Sequence, residues 1–512
     1  MERWSFTVGF RSNEKRKWWV LGALSFGLLA VGLDMTILNV ALPTLASDLS
    51  ASTSELQWIV DAYNLVLAAA LLPAGMLGDR FGRKKFLLAA LVLFGAASVA
   101  CAYSGSPEML IVMRMFLGFG AAFLIPLSMS VLPVLFEGAE RTKALMVWAT
   151  ANMLGIPLGP IIGGWLLKHY DWGAVFLINL PFITVALFAV SALMPESRSQ
   201  SRPRLDMVGI IASSAGLVLT TYGVIRAGEH GWSDTSSIAY LGAGVLALAL
   251  FVLWQRRIAH SLIDLSLFRS ARFTWGTILA TAVSFAIFGL LFAMPQYFQA
   301  VLGADTLGTG LRLLPLIGGL IVGAKAAQGL IPKSGAKAIA AAGFAVLAVA
   351  LAAGAMTGSG SGYGFAALWT TAAGLGLGLA LPTAMDAALG ELSAERSGVG
   401  SALIMAMRQV GGSFGVALLG AALNANYRGH LNEAGVPETI AGRAGHSITA
   451  GVSVARQTAS DTLLVTVKDA FVHGMDVMLW ICGGIAALGF LLALVFLPSG
   501  GAAADSSKDL GL

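Results

Sequence analysis

Residues 77–85 read Leu77-Gly78-Asp79-Arg80-Phe81-Gly82-Arg83-Lys84-Lys85. Four basic residues and one acid are crowded between two apolar runs, 55–77 and 86–104. Each run is about 20 residues long, the length at which an α-helix rising ~1.5 Å per residue crosses a ~30 Å hydrocarbon core. A charged turn between two such runs reads as a membrane hairpin, its turn held at one face of the bilayer.

The same pattern extends in both directions. Apolar runs predict 14 spans, at 18–41, 55–77, 86–104, 108–135, 143–167, 172–194, 207–226, 236–255, 273–301, 308–331, 338–356, 364–387, 397–424 and 472–497. Bulk composition agrees: 57% of the 512 residues are hydrophobic and 12% charged, where a soluble domain carries about a quarter charged. The mean hydropathy is +0.80, and the 62 glycines suit membrane helices, whose close contacts favour small residues. The first 17 residues are polar and basic with no cleavage signature, so they read as a cytosolic tail before a first spanner.

An even number of spans puts both termini on one side, and the distribution of basic residues chooses the side. With the N-terminus cytosolic, the inner segments hold 22 Lys and Arg and the outer segments 6; four more, Arg114, Arg312, Lys325 and Arg408, fall inside spans. Both termini are therefore expected in the cytosol, in a cell inner membrane.

The turn at 77–84 has an echo. Leu330-Ile331-Pro332-Lys333-Ser334-Gly335-Ala336-Lys337, after span 10, repeats its Leu, first basic residue, Gly and final Lys. Spans 2 and 10 become equivalent if spans 7 and 8 are an insert between two six-helix repeats, the parallel half-repeat plan of some transporters. The expected organisation is an all-α polytopic membrane protein. It comprises a cytosolic N-tail (1–17), a six-helix bundle (18–194), a cytosolic linker (195–206), two additional helices (207–256) and a cytosolic loop (257–272). A second six-helix bundle (273–498) with a long outer loop (425–471) and a cytosolic C-tail (499–512) complete it. That outer loop carries a mildly amphipathic run around 452–467 and is long enough to hold a short helix or hairpin.

Several function classes are excluded. Cys101 and Cys482 lie in apolar stretches and read as core residues, and the six histidines are scattered, so no disulfide framework or metal site is expected. The net charge of +5 lies in membrane-flanking loops and does not point to nucleic acid. There is no nucleophile–base pair and no phosphate-binding loop, so the chain reads as neither an enzyme nor an ATP-driven pump, with no cofactor.

At this point the chain resembles the major facilitator superfamily, in particular its 14-spanner drug:proton antiporters and most closely the quaternary-ammonium efflux pumps. Gly78, Asp79, Arg80, Gly82 and Arg83 match the family's loop 2–3 motif, which the resemblance makes a conformational latch. Gly155-x3-Gly159-Pro160-x2-Gly163-Gly164 in span 5 matches its antiporter motif; the glycines form one smooth helix face, and Pro160 removes a backbone hydrogen bond. The run 33–43, with Asp34 and Asn39, matches the first span of the 14-spanner group, and Trp58-Ile59-Val60-Asp61-Ala62-Tyr63 the second. Arg114-x3-Gly118 and the run 408–412 also match. An acid at the Asp61 position goes, within the family, with cationic drugs. Extra acids that some relatives carry in spans 10 and 13 are absent from 316–320 and 405–409, which argues against dications.

Charges within spans are costly and are functional suspects. Counting ~1.5 Å per residue, Asp34 lies about 24 Å above the cytosolic face, and Asp61 and Arg114 each lie about 9 Å below the outer face. Three charges on three helices thus share one level. They read either as a proton site, or as an ion pair of Arg114 with one Asp and a second Asp facing water. Arg408 lies near the midplane, either orienting a binding site or bonding helix carbonyls. Trp58, Asn39, Asp61, Phe292, Tyr297, Met405, Met407 and Arg408 are the candidate drug-binding residues, aromatics for cations and Met for varied shapes.

The sequence therefore points to a monomeric, proton-driven antiporter exporting lipophilic, mainly cationic drugs by alternating access, coupled through Asp34, Asp61 and Arg114. Its partners would be such drugs, protons and membrane lipids. An exporter of a specific metabolite or lipid precursor on the same fold stays open, as does a non-transport membrane protein.

Overall fold

The computed structural model describes residues 14–136, 138–198, 206–258, 265–389, 397–434 and 436–498. All regular structure among them is helical. Spans 1 to 8 are the helices Glu14–Asp48, Thr53–Phe81, Arg83–Ala102, Pro107–Leu135, Gly138–His169, Asn179–Leu193, Met207–His230 and Thr235–Arg257. Span 9 is Ala271–Gln296, continued by a π-helical turn Tyr297–Val301. The short helix Thr306–Arg312 leads into Leu314–Gly354, which carries spans 10 and 11. Spans 12, 13 and 14 are Tyr363–Leu389, Ser397–Glu433 and Asp461–Phe496. Among the described residues, 12 of these segments are long and apolar enough to cross a membrane by length and composition. Spans 2 and 5, helices of 29 and 32 residues, are the remaining two; span 2 carries Asp61 within its apolar run, and span 5 carries its acids and bases at its ends.

The turn quoted first and its echo adopt related backbones. Gly82 (φ 131°, ψ 121°) separates spans 2 and 3, and Gly335 (φ 78°, ψ 154°) separates spans 10 and 11. Both fall where an L side chain is strained, so the matching glycines mark equivalent corners. Helix pairing repeats as well. Span 1 packs on 5 and 6, span 2 on 4, and span 3 on 4 and 6. Span 9 packs on 13 and 14, span 10 on 12, and span 11 on 12 and 14. Each pairing in the first half thus recurs eight spans later, with spans 7 and 8 packed on each other and span 7 against spans 2 and 13.

Helices in lipid gain nothing by hiding apolar side chains from one another, so close backbone approach and polar contacts drive their association. Glycines supply that approach. In the second half, Gly319 and Gly323 of span 10 meet the backbone of span 12, and Gly374 and Gly378 of span 12 meet the backbone of span 10. Large apolar side chains, such as Val245, Leu246, Leu250 and Leu253 of span 8, cover the outside.

The outer segment expected at 425–471 has narrower bounds and holds short helices, for which its length left room: span 13 runs on to Glu433, span 14 begins at Asp461, and the helices Glu438–Ala444 and Ile448–Gln457 lie between them. The amphipathic run at 452–467 is broken at Thr458–Ser460, because Ser460 caps span 14 by accepting from the Leu463 N–H at 3.2 Å. Polar residues here start a helix.

The end of the bundle holding the turn between spans 1 and 2 is called distal below, and the end holding the turn at Gly82 proximal.

Candidate functional site

Asp34 and Arg114 meet. Asp34 Oδ2 and Arg114 Nη1 are 2.6 Å apart, both side chains essentially buried. Asn179 of span 6 donates to Asp34 Oδ1 at 3.2 Å and to Ser98 Oγ of span 3 at 3.0 Å. Arg114 Nε donates to the Ile59 carbonyl at 3.1 Å, and its guanidinium lies 4.4 Å from the Tyr63 ring centroid. Five of the first six spans therefore hold one charge pair, each partner bonded by more than the other. Such a pair is costly to break, because removing one partner leaves a buried charge uncompensated, at roughly 3–5 kcal/mol.

Asp61 is different. It is fully buried on span 2, and neither carboxyl oxygen has a hydrogen-bond partner. The second alternative from the sequence, an Arg114 pair with the other Asp in water, is half realised: the pair exists, but Asp61 is buried. A carboxylate here needs a positive partner that none of the described residues supplies, and a proton or a cationic molecule would supply it.

The other expected drug-site residues scatter. One turn distal to Asp61 on span 2, Gln57 donates to the Val416 and Ala417 carbonyls of span 13 at 3.1 and 3.0 Å, and Phe292 joins this seam from span 9. Met405 also packs against the first half's core. Trp58 turns to the inserted pair, its ring 6.0 Å from that of Tyr222 in span 7. Met407 faces the second half's own proximal cluster of Leu267, Phe273 and Ala388. Asn39 bonds its own helix, donating to the Met35 and Thr36 carbonyls at 3.3 Å. Arg408 donates to Ser284 Oγ at 3.1 Å and contacts Met385 sulfur at 3.6 Å, with no carboxylate among these partners. Tyr297 is buried in the second half, away from Asp61.

The span 5 glycines make two seams. An added Cβ on Gly155 or Gly159 would strike the Gly32–Leu33 backbone or Thr36 of span 1, and one on Gly163 would lie 2.7 Å from Ile37. Gly164 faces the other half, where an added Cβ would lie 2.6 Å from the Thr306 carbonyl oxygen, and the Pro160 carbonyl meets Gly310. Thr306 Oγ1 donates to the Gly164 carbonyl at 3.2 Å. Further distal contacts join the halves: Gln299 Nε2 to the Val40 carbonyl (3.1 Å), Thr53 N to the His446 carbonyl (2.8 Å), and Lys168 to Asp305 (3.3 Å). The Gly308 N–H and then Lys168 hold the Asp305 carboxyl below the usual carboxylate range. The distal end is closed.

At the proximal end, the loop 2–3 motif docks on a residue the sequence reading passed over. Glu196 accepts from the Lys84 N–H at 3.0 Å and the Lys85 N–H at 3.3 Å, capping span 3 at its positive end. An added Cβ on Gly82 would lie 2.9 Å from that carboxylate. Gly78 lets span 2 approach Leu127 of span 4, Arg80 lies over Phe81, and the Arg83 N–H bonds the Ser197 carbonyl at 2.9 Å. The Asp79 side chain lies outside the described set.

The family model of the Major Facilitator Superfamily matches residues 24–416. The tetracenomycin C resistance and export protein of Streptomyces glaucescens is 33% identical over 492 residues, 94% of this chain and 91% of the relative. The multidrug efflux pump LfrA of Mycolicibacterium smegmatis is 34% identical over 471 residues, 90% and 92% of the two chains. The methyl viologen resistance protein SmvA of Salmonella typhimurium is 30% identical, covering 92% and 97%. A solved bacterial homolog of the human lysosomal transporter Spinster, inward-facing and unoccupied, superposes with a TM-score of 0.69 at 16% identity, over 96% of this chain and all of that one, a likeness of fold alone.

Proposed function

Since the chain belongs to the Major Facilitator Superfamily, we propose that it is a drug-efflux antiporter of the bacterial inner membrane, taking lipophilic, mainly cationic compounds outward in exchange for protons. The distal end then faces outside and both termini the cytosol, as the excess of basic residues on the proximal side favours. The names of its relatives, a tetracenomycin C resistance and export protein and a multidrug efflux pump among them, support drugs as the cargo.

The observation that carries this reading is Asp61, a fully buried carboxyl with no partner on either oxygen. A cation in the site compensates Asp61 from the cytosolic side; a proton arriving from outside takes its place and releases the drug. Asp34, pinned between Arg114 and Asn179, is the fixed charge of the site, and Asp61 is the exchangeable one. Each proton returned down a membrane potential contributes about 2.3 kcal/mol per 100 mV. With the distal end closed, the conformation accepts drug from the cytosol, and Gln57 and Phe292 bound the site distally.

The test is ethidium efflux from proteoliposomes under an imposed pH gradient. Wild type should extrude the dye uphill, and Asp61→Asn should lose uphill transport at matched incorporation. Undiminished uphill transport by Asp61→Asn would remove Asp61 from the exchange.

A further inference from the structure

Among the described residues, five buried polar atoms in the distal part of the second half have no hydrogen-bond partner, and three of them belong to titratable side chains: Tyr297 Oη, Asp476 Oδ1 and Arg312 Nη1, beside Trp369 Nε1 and Asn424 Oδ1. The titratable three come from different elements, the π-helical turn, span 14 and the short helix before span 10. Native structures leave few buried polar atoms unpaired, and three together need an explanation. The π-helical turn that carries Tyr297 packs against both span 14, which carries Asp476, and the short helix that carries Arg312. The guanidinium of Arg312 instead lies 5.3 Å from the ring of Tyr363 in span 12. Tyr297 stands at the one stretch of span 9 wound as a π-helix, a register change frequent at functional sites.

The charged and titratable neighbours of Asp476 are occupied elsewhere. On its own helix, Lys468 donates to the Val301 carbonyl at 3.0 Å, and His473 lies against His430 of span 13, ring centroids 5.0 Å apart. Tyr427 of span 13 donates to the Ala444 carbonyl at 2.9 Å. Asp469 stands two turns distal to Asp476 on the same helix, a like charge that offers no compensation. Asp476 as a residue is partly buried.

We propose that Asp476 is a second proton-binding carboxyl, in the half of the molecule opposite Asp61, with Tyr297 and Arg312 as its alternating partners. Protonated, the carboxyl turns to donate to the Tyr297 hydroxyl, which has no partner in the present arrangement, while Arg312 stays on Tyr363. When the O–H bond breaks and the proton leaves to water, the carboxylate keeps the electron pair and draws Arg312 from the Tyr363 ring to pair with it. The site requires no group absent from the chain. Its role in transport rests on the proton-driven reading above; its protonation does not.

The experiment is therefore in two arms on purified protein. pH-difference infrared spectroscopy without drug should show a carboxylic-acid band that Asp476→Asn removes, Asp476→Glu restores in shifted form, and Asp61→Asn leaves in place. A spectrum unchanged by Asp476→Asn overturns the proposal whatever Asp61 does. In proteoliposomes, loss of one coupled proton should lower the steady-state dye gradient about tenfold per unit of imposed pH difference. Asp476→Asn with the wild-type gradient overturns its part in coupling, while a failure of Asp61→Asn to affect transport bears on the exchange reading alone.

Discussion

At the scale of single residues, two buried carboxylates in the same half have opposite environments, and that sets opposite expectations for the same substitution. Asp34 accepts from Arg114 and Asn179. Asp34→Asn leaves the guanidinium of Arg114 buried and uncompensated, so it should destabilise the protein by roughly 3–5 kcal/mol. The thermal unfolding midpoint in detergent should fall clearly, and Arg114→Gln should lower it comparably. Asp61→Asn deletes no contact, so its midpoint should stay at or above that of wild type while uphill transport is lost. Equal midpoints for Asp34→Asn and wild type would show the pair to be unimportant for folding. The common level of Asp34, Asp61 and Arg114 was legible in the sequence, because helix rise converts residue count to depth. Which Asp faces Arg114 was not, because rotation about each helix axis is set by packing. Tyr297 shows the same limit: the π-helical turn re-registers the end of span 9, and a regular helical period cannot anticipate where its hydroxyl points.

At the scale of elements, span 5 is the helix with least room. Its glycines hold span 1 through Gly155, Gly159 and Gly163 and the second half through Gly164. Gly159→Leu should drive a side chain into Thr36 and the Ile37 backbone, overpacking that costs typically 1–3 kcal/mol. Efflux should drop at least tenfold at matched expression. The control is Gly318→Leu in span 10, where an added Cβ meets nothing within 4 Å; it should transport like wild type. Equal activity for the two variants would mean that close span 5 contact is not needed in the cycle. The spacing of these glycines gave a smooth face from sequence alone. That Gly164 turns to Thr306 across the halves was not readable, since it depends on how two bundles meet. Glu196 was hidden for the same reason: a lone acid in a polar linker gains meaning only when its carboxylate is seen at the start of span 3.

At the scale of the whole molecule, the repeated pairing of helices and the matching corners at Gly82 and Gly335 describe two similar bodies that touch at their distal ends. Alternating access requires that this closure open during each cycle, so a covalent tether across it should stop turnover. Lys168 and Asp305 are suited to carry one. They are surface residues of different halves, and an exposed ion pair is worth only about 0–1 kcal/mol. Replacing both with cysteine should therefore leave efflux within about fivefold of wild type. The native Cys101 and Cys482 are buried and free, so a bis-maleimide should react at the introduced pair first. Cross-linked protein should still bind dye added at the proximal side, since the tether holds the conformation that is already closed distally, but it should not complete efflux. Each single-cysteine variant treated with the same reagent should remain active, separating tethering from modification. Efflux that persists after full cross-linking would mean the distal contacts stay shut during transport, and the two halves would then have to pass substrate by a route other than opening this end.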